Sequence, residues 1–414
     1  MQKFLQALGP GMMYAGAAVG VSHLVQSTQA GALFGLGIVW VVLLANGLKY
    51  PFFAFGPRYA RTTGKSLIQG YASISPAVLW FYLIITISTM FIVMAAVGLV
   101  TSGLMYQITG VSATEVPVTA MVAIALIICI ILLWTGTYRF IDRVMKYIIL
   151  TLTITTIITL ILALNADIPK SGPFPQFSFT EHFAFLISFM GWMPAPLDLS
   201  VWHSIWTVNR MKELRKTTDK RTSFIDFETG YWGTVILAIF FVAMGALMIY
   251  GTGIQMKPQA GAFAAQLIGV YTEVLGSWTA PLIATAAFTT MLSTLLTCMD
   301  AFSRSMTHGI AVLYKHPEPD VPQKKHYRTW ILLIAVGAIS IPAFLSDSML
   351  ELVRFITIIS FLAAPVIAVM NHLTVNSSNN PKETKPPLWL NVWSVIGIVF
   401  LLLFSFYYMW LEFW

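Results

Sequence analysis

Three side chains able to bind or exchange a small ion stand in or beside two short stretches that cannot continue a regular helix. His23 closes the run Gly20-Val21-Ser22-His23, and its imidazole can ligate a transition metal, titrate near neutral pH or donate to an anion. Met193 opens the run Met193-Pro194-Ala195-Pro196; a thioether suits late transition metals and offers little to a hard ion. Asp198 is the sole acid near either stretch, and a carboxylate in a membrane is costly enough to read as functional. A bland alternative stands beside each. His23 can bond to the backbone of the sixth helix without touching a solute, Met193 can be packing among 20 methionines, and Asp198 can be a first-turn carboxylate favoured by the helix dipole.

Other residues surround these. Trp192, Trp202, His203 and Trp206 can wall a solute or mark the membrane interface, and the interface reading suits Trp206. Thr294 and Thr297 can reach a coupling ion or bond their own helix backbone. Asp300 and Arg304 lie one helical turn apart and read as an ion pair. Cys129 and Cys298 read as small packing residues rather than functional thiols. No nucleophile with an adjacent base, phosphate loop or cluster of metal ligands occurs, so the sequence does not read as an enzyme and implies no cofactor.

The elements that position these groups follow from composition. Of the 414 residues, 57% are hydrophobic and 10% charged, against about 25% charged in an ordinary soluble domain. No charge falls between Lys3 and Lys49, Lys65 and Glu115, or Glu228 and Lys257. Because lipid offers the backbone no hydrogen-bond partner, a span needs about 20 apolar residues in a helix. The pattern predicts an all-α polytopic membrane protein with spans near 10–31, 35–57, 77–106, 116–135, 144–165, 181–205, 229–252, 274–302, 328–346, 350–373 and 388–410. With the N-terminus inside, only Lys170, Lys257 and Arg354 of the 24 basic residues fall outside, with Lys49 counted inside. That asymmetry predicts a cytoplasmic-membrane protein with its C-terminus outside. The net charge of +7 then reflects topology and lipid headgroups, not nucleic acid. The N-terminal segment does not read as a cleaved signal peptide, and the polar stretches 207–227, 303–328 and 375–387 read as loops.

The two interruptions fall in spans 1 and 6, at Gly16, Gly20 and Ser22, and at Gly191 with Pro194 and Pro196. Two prolines cannot both sit in an intact helix interior. If spans 1–5 and 6–10 are repeats, an odd number inverts the second, and each break falls on the first helix of its repeat. That pattern points to an inverted-repeat transporter with its site between the breaks. The expected division is 1–166 for the first five-helix repeat, 167–374 for the second, and 375–414 for a linker and extra helix 11.

Gln29-Ala30-Gly31-Ala32, Phe34-Gly35, Trp40 to Asn46, Thr63-Gly64-Lys65, Gly9-Pro10-Gly11 and Met193-Pro194 resemble the Nramp (natural resistance-associated macrophage protein) metal-ion transporters. The resemblance implies a LeuT-like 5+5 inverted repeat with broken helices 1 and 6 and one extra C-terminal helix. It also implies a metal site built from an Asp and an Asn in the helix 1 break and a Met in the helix 6 break. Aligned on those motifs, Gly20 replaces the Asp and His23 the Asn, while Met193 is kept. Ala195 replaces the His that follows the proline in the family, and Ser200 replaces a later His. The resemblance therefore implies a divergent relative with a rebuilt site.

Gly20, Ser22, His23, Met193, Ala195 and Asp198 are the expected solute-binding residues. Trp192, Thr294 and Thr297 are the expected gating or coupling residues. A divalent ion stripped of water needs negative ligands, and the missing Asp weakens that case; His23, Met193 and Asp198 are the ligands a metal would have. The expected function is a secondary transporter of a small solute, a metal cation foremost, coupled to H+ or Na+. Two alternatives stay open: a small anion such as bicarbonate or a zwitterion, drawn to half-helix N-termini, and a membrane receptor that does not transport.

Overall fold

In the computed structural model the described residues are 9–135, 151, 153–165, 170, 172, 174, 177–214, 219–316, 324–345 and 348–414, and among them no strand occurs. Span 1 forms in two pieces. Helix α1 (Pro10–Ala18) ends at Val19, and a π-helical turn (Ser22–Ser27) then runs into α2 (Thr28–Phe34). A 3-10 turn (Gly35–Ile38), entered at Gly35 with φ 64°, leads to α3 (Val39–Thr63); only glycine adopts such a φ without strain. The short α4 (Leu67–Ile74) starts with a capping box in which Ser66 and Gln69 satisfy each other's backbone N–H groups. Next come α5 (Pro76–Thr109), α6 (Val118–Trp134) and α7 (Thr153–Ala163).

Span 6 is also split, into α8 (Phe183–Gly191) and α9 (Asp198–Leu214). Six further helices follow: α10 (Lys220–Met248), α11 (Ala260–Leu275), α12 (Ala280–Leu313), α13 (Lys324–Leu345), α14 (Met349–Asn376) and α15 (Leu388–Phe413). Both expected breaks are present. Helices α4 and α11 lie between the expected spans. Seven described stretches are long and apolar enough to cross a bilayer, against eleven expected spans. The difference arises because the stretch Ser22–Thr63 joins the end of span 1 to span 2, and the described helices of spans 4, 5 and 6 are short: α6 and α9 have 17 residues each, α8 has 9, and α7 is shorter than a span. The first part of the expected fifth span, 144–150, and position 346 lie outside the described residues, as do the basic residues Lys3, Arg139, Arg143, Lys146, Arg215 and Lys216.

Small residues let the first span pack closely against α10. A Cβ on Gly31 would stand 1.9 Å from Val242 O, and one on Gly245 would stand 2.0 Å from Thr28 O. Backbones that approach this closely gain dispersion contacts that lipid cannot supply as well. At the start of α1, the N–H groups of Gly9 and Gly11 donate to the two carboxylate oxygens of Asp226 on α10, each at 2.7 Å. The orphan donors of the helix start thus meet a charge favoured by the dipole. Apolar side chains such as Trp80, Phe81, Ile84, Leu403 and Phe406 face outward, as lipid-facing residues do.

The expected ion pair is formed: Arg304 Nε lies 2.8 and 2.7 Å from the two oxygens of Asp300, and the Tyr327 hydroxyl donates to Asp300 at 2.5 Å. Lys49 requires a correction. Counted from sequence as an inner charge, it sits in the interior of α3 with 1% exposure, so it belongs to neither loop set. Its charge is buried because neighbouring carbonyls take the place of water, as described below.

Candidate functional site

At the first break Val19 leaves the helical region with φ −78° and ψ 90°, so the carbonyls before it lose their continuing donors. Side chains replace them. Thr294 Oγ1 on α12 lies 3.1 Å from Gly16 O, 3.0 Å from Val19 O and 3.2 Å from Thr290 O in its own helix. Its side chain fills the room beside Gly20: a Cβ there would stand 2.8 Å from Thr294 Cγ2 and 2.9 Å from its hydroxyl. Ser22 Oγ lies 3.0 Å from Ala18 O and 2.8 Å from His23 Nδ1.

His23 turns away from the second break. Its Nε2 lies 2.9 Å from Thr234 O on α10, and since a carbonyl only accepts, Nε2 carries the proton. Both ring nitrogens are engaged, and the residue is fully buried. The backbone contact anticipated for His23 is therefore made to the seventh span rather than the sixth.

At the second break the chain leaves α8 after Gly191 and re-enters helix at Asp198, with a cis peptide bond between Met193 and Pro194. Trp192 Nε1 donates to Ser360 Oγ at 2.8 Å, fixing the indole against α14. Met193 is completely buried and Ala195 is 2% exposed. Asp198 occupies the first turn of α9, and its Oδ1 has no hydrogen-bond partner among the described residues. Ser200 donates to Leu197 O at 2.6 Å and accepts from Asn371 at 2.8 Å. Thr297 donates to Ser293 O at 2.8 Å, within its own helix.

A cavity of about 30 Å³ lies between the breaks, lined by Ala18, Ser22, Trp192, Ala195, Thr294 and Cys298 among others. It has room for a water-sized occupant, which needs about 10–15 Å³ of such space. Of the expected residues, Ser22, Ala195, Trp192 and Thr294 meet around it, whereas Gly20, His23, Met193, Asp198 and Thr297 are not in its wall. Among the described residues no group of three or more His, Cys, Asp or Glu side chains is placed to hold a metal.

Sequence reasoning missed Lys49. Its Nζ donates to Met190 O at 2.5 Å and Gly191 O at 2.9 Å, the last carbonyls of α8. The one available signal was a lone ammonium inside a 42-residue apolar stretch, Ser22–Thr63. Cys298, read from sequence as packing, also faces the cavity.

Two broken helices meeting around a small cavity define a membrane transporter of the LeuT-like inverted-repeat class. The family described as natural resistance-associated macrophage protein-like (Nramp) matches residues 11–411, and the chain belongs to it. It is 32% identical over 408 residues to an uncharacterized protein of Pasteurella multocida, covering 96% of this chain and 90% of that one. Its fold is similar to a mutant of the manganese transporter of Eremococcus coleocola, with TM-score 0.71, 15% identity, and coverage of 98% of this chain and 86% of that one. It is also similar to MHP1, a nucleobase-cation-symport-1 family transporter in a closed conformation, with TM-score 0.60, 15% identity, and coverage of 98% and 92%. The chain is thus an integral membrane protein of a transporter family and not an enzyme.

Proposed function

We propose that this protein is a secondary transporter that carries a small metal cation by alternating access, the repeats 1–166 and 167–374 rocking about the two breaks while 375–414 supplies the linker and extra helix. The observation that carries this reading is the cavity between the breaks lined by Ser22, Trp192, Ala195 and Thr294, with room for a single ion or water. Family membership and the likeness to a manganese transporter support a metal as cargo. Met193 and the Cys298 thiol are soft donors near the cavity, and His23 and Asp198 would complete a ligand set only if an opening motion turned them inward. Trp192, Thr294 and Thr297 act as gating or coupling groups in this reading, and H+ or Na+ drives the cycle. The charge asymmetry supports an N-terminus inside and a C-terminus outside the cytoplasmic membrane.

One observation favours a second cargo class. The carbonyls freed by the breaks, the natural ligands of a bare cation, already accept from Thr294, Ser22, Lys49 and Ser200. With those carbonyls already satisfied a bare cation finds few ligands there, which favours a small anion such as bicarbonate, or a zwitterion, drawn to the N–H groups of a half-helix N-terminus. Uptake of Mn²⁺ into liposomes reconstituted with the purified protein, beside uptake of labelled bicarbonate, decides between them. Saturable Mn²⁺ uptake that falls in Asp198→Ala and His23→Ala supports the metal cargo; bicarbonate uptake with no Mn²⁺ uptake replaces it with the anion.

A further inference from the structure

The end of α8 holds a cation already. Gly191 is the last residue of that 9-residue half-helix, and the chain then leaves helical geometry, so the carbonyls of its last turn lose most of their continuing donors, Met190 O keeping one from Met193 N–H at 3.2 Å. Those carbonyls carry the negative end of the helix dipole. In transporters with discontinuous helices, such half-helix C-termini are where coupling cations are coordinated. Here the Lys49 ammonium occupies that position, 2.5 Å from Met190 O and 2.9 Å from Gly191 O. The ring centroid of Phe361 on α14 lies 6.0 Å from its Nζ, within range of a cation–π contact.

No acidic side chain is bonded to Lys49 among the described residues. Its partners are two neutral carbonyls and a ring, a set that matches one monovalent charge. A divalent ion would need anionic ligands that this end of α8 does not offer. The residue is buried, and its head is delivered from a helix 141 residues earlier in the chain.

We propose that Lys49 is a resident, covalently tethered cation filling a monovalent-cation site at the end of α8, so that Na⁺ and K⁺ have no place there. The site takes ammonium-type cations, and its occupant travels with α3. The transporter reading supplies only the consequence that neither alkali ion is the coupling ion at this position. The site itself is tested without any cargo, so its failure is separate from a failure of Mn²⁺ uptake.

The test is thermal unfolding of the purified full chain in detergent, for wild type, Lys49→Ala and Lys49→Met. Each is measured in N-methylglucamine chloride and with NaCl, KCl or ethylammonium chloride at matched ionic strength. The wild-type Tm is expected not to respond to Na⁺ or K⁺. Lys49→Ala, which vacates the stem as well as the charge, is expected to lose Tm and to regain at least half of the loss with ethylammonium. Lys49→Met, whose side chain keeps that room filled, is expected to lose Tm without rescue. If Lys49→Ala does not fold in N-methylglucamine, it is extracted and purified in ethylammonium throughout; recovery there supports the site, and failure in both overturns it. A Lys49→Met protein as stable as wild type, or a folded Lys49→Ala protein indifferent to ethylammonium, also overturns it.

Discussion

The two breaks meet the same difficulty, backbone carbonyls left without donors in a medium that cannot hydrate them, by different chemistry. At the first, neutral hydroxyls do the work: Thr294 reaches Gly16 and Val19, and Ser22 reaches Ala18. At the second, a buried ammonium holds Met190 and Gly191, and the next half-helix opens on Asp198, whose Oδ1 has no partner. The first break is therefore electrically quiet and completed by side-chain packing. The second has an ionisable side chain on each side of its non-helical residues. The architecture depends on where the helices stop and not on what caps them, so one fold can satisfy its two breaks by different chemistry.

The largest expected effect separates the breaks by what stands beside their glycines. A Cβ on Gly191 would lie 2.0 Å from Thr357 O, a backbone atom that cannot rotate away. Gly191→Ala is expected to destabilise by about 3 kcal/mol or more, at the upper end of overpacking costs, read as loss of folded protein in thermal unfolding. A wild-type Tm in this variant would show that α14 yields where α8 crosses it.

At the first break the obstacle is a side chain, so it can be removed. Gly20→Ala meets Thr294 Cγ2 at 2.8 Å and is expected to cost about 1–3 kcal/mol. In a Thr294→Ala background most of that steric cost is expected to go, the remaining contact being with Cβ of residue 294 at 3.2 Å, leaving chiefly the loss of the carbonyl cap. A double-mutant cycle on Tm measures the coupling, and strict additivity would contradict the packing described here. Gly20→Asp with Thr294→Ala restores a carboxylate where the family resemblance implies one, and the metal reading expects tighter Mn²⁺ binding by calorimetry than in wild type.

A smaller effect is expected on the charged side. Since Asp198 Oδ1 makes no hydrogen bond, Asp198→Asn is expected to change stability by no more than about 1 kcal/mol, because removing an unpaired charge offsets what is lost. A loss of several kcal/mol would mean that the carboxylate has a partner in solution. The smallest effect is expected at Thr297, whose hydroxyl donates to Ser293 O in its own helix. Thr297→Ser is expected to stay within about 0.5 kcal/mol in Tm measurements and to leave transport unchanged; altered transport would argue for the coupling role.

Much of the architecture is written in local pattern. Apolar runs between charges locate helices because each span must satisfy its own backbone, and the Gly20 and Pro194-Ala195-Pro196 stretches mark where two of them stop. Gly9-Pro10-Gly11 and the Gln29 to Asn46 motifs carry the family likeness, and the Asp300–Arg304 pair follows from helical spacing alone. The tertiary structure decided the contents of the breaks. The direction of the His23 imidazole depends on a carbonyl 211 residues away, and the partner of Lys49 on one 141 residues away. Thr294 occupies the space beside Gly20 from a helix 275 residues beyond the Val19 carbonyl it caps. Helix stops are set by the preferences of neighbouring residues, so they can be read along the chain. Which donor satisfies a stopped helix is set by what the bundle brings against it, and that is a property of packing.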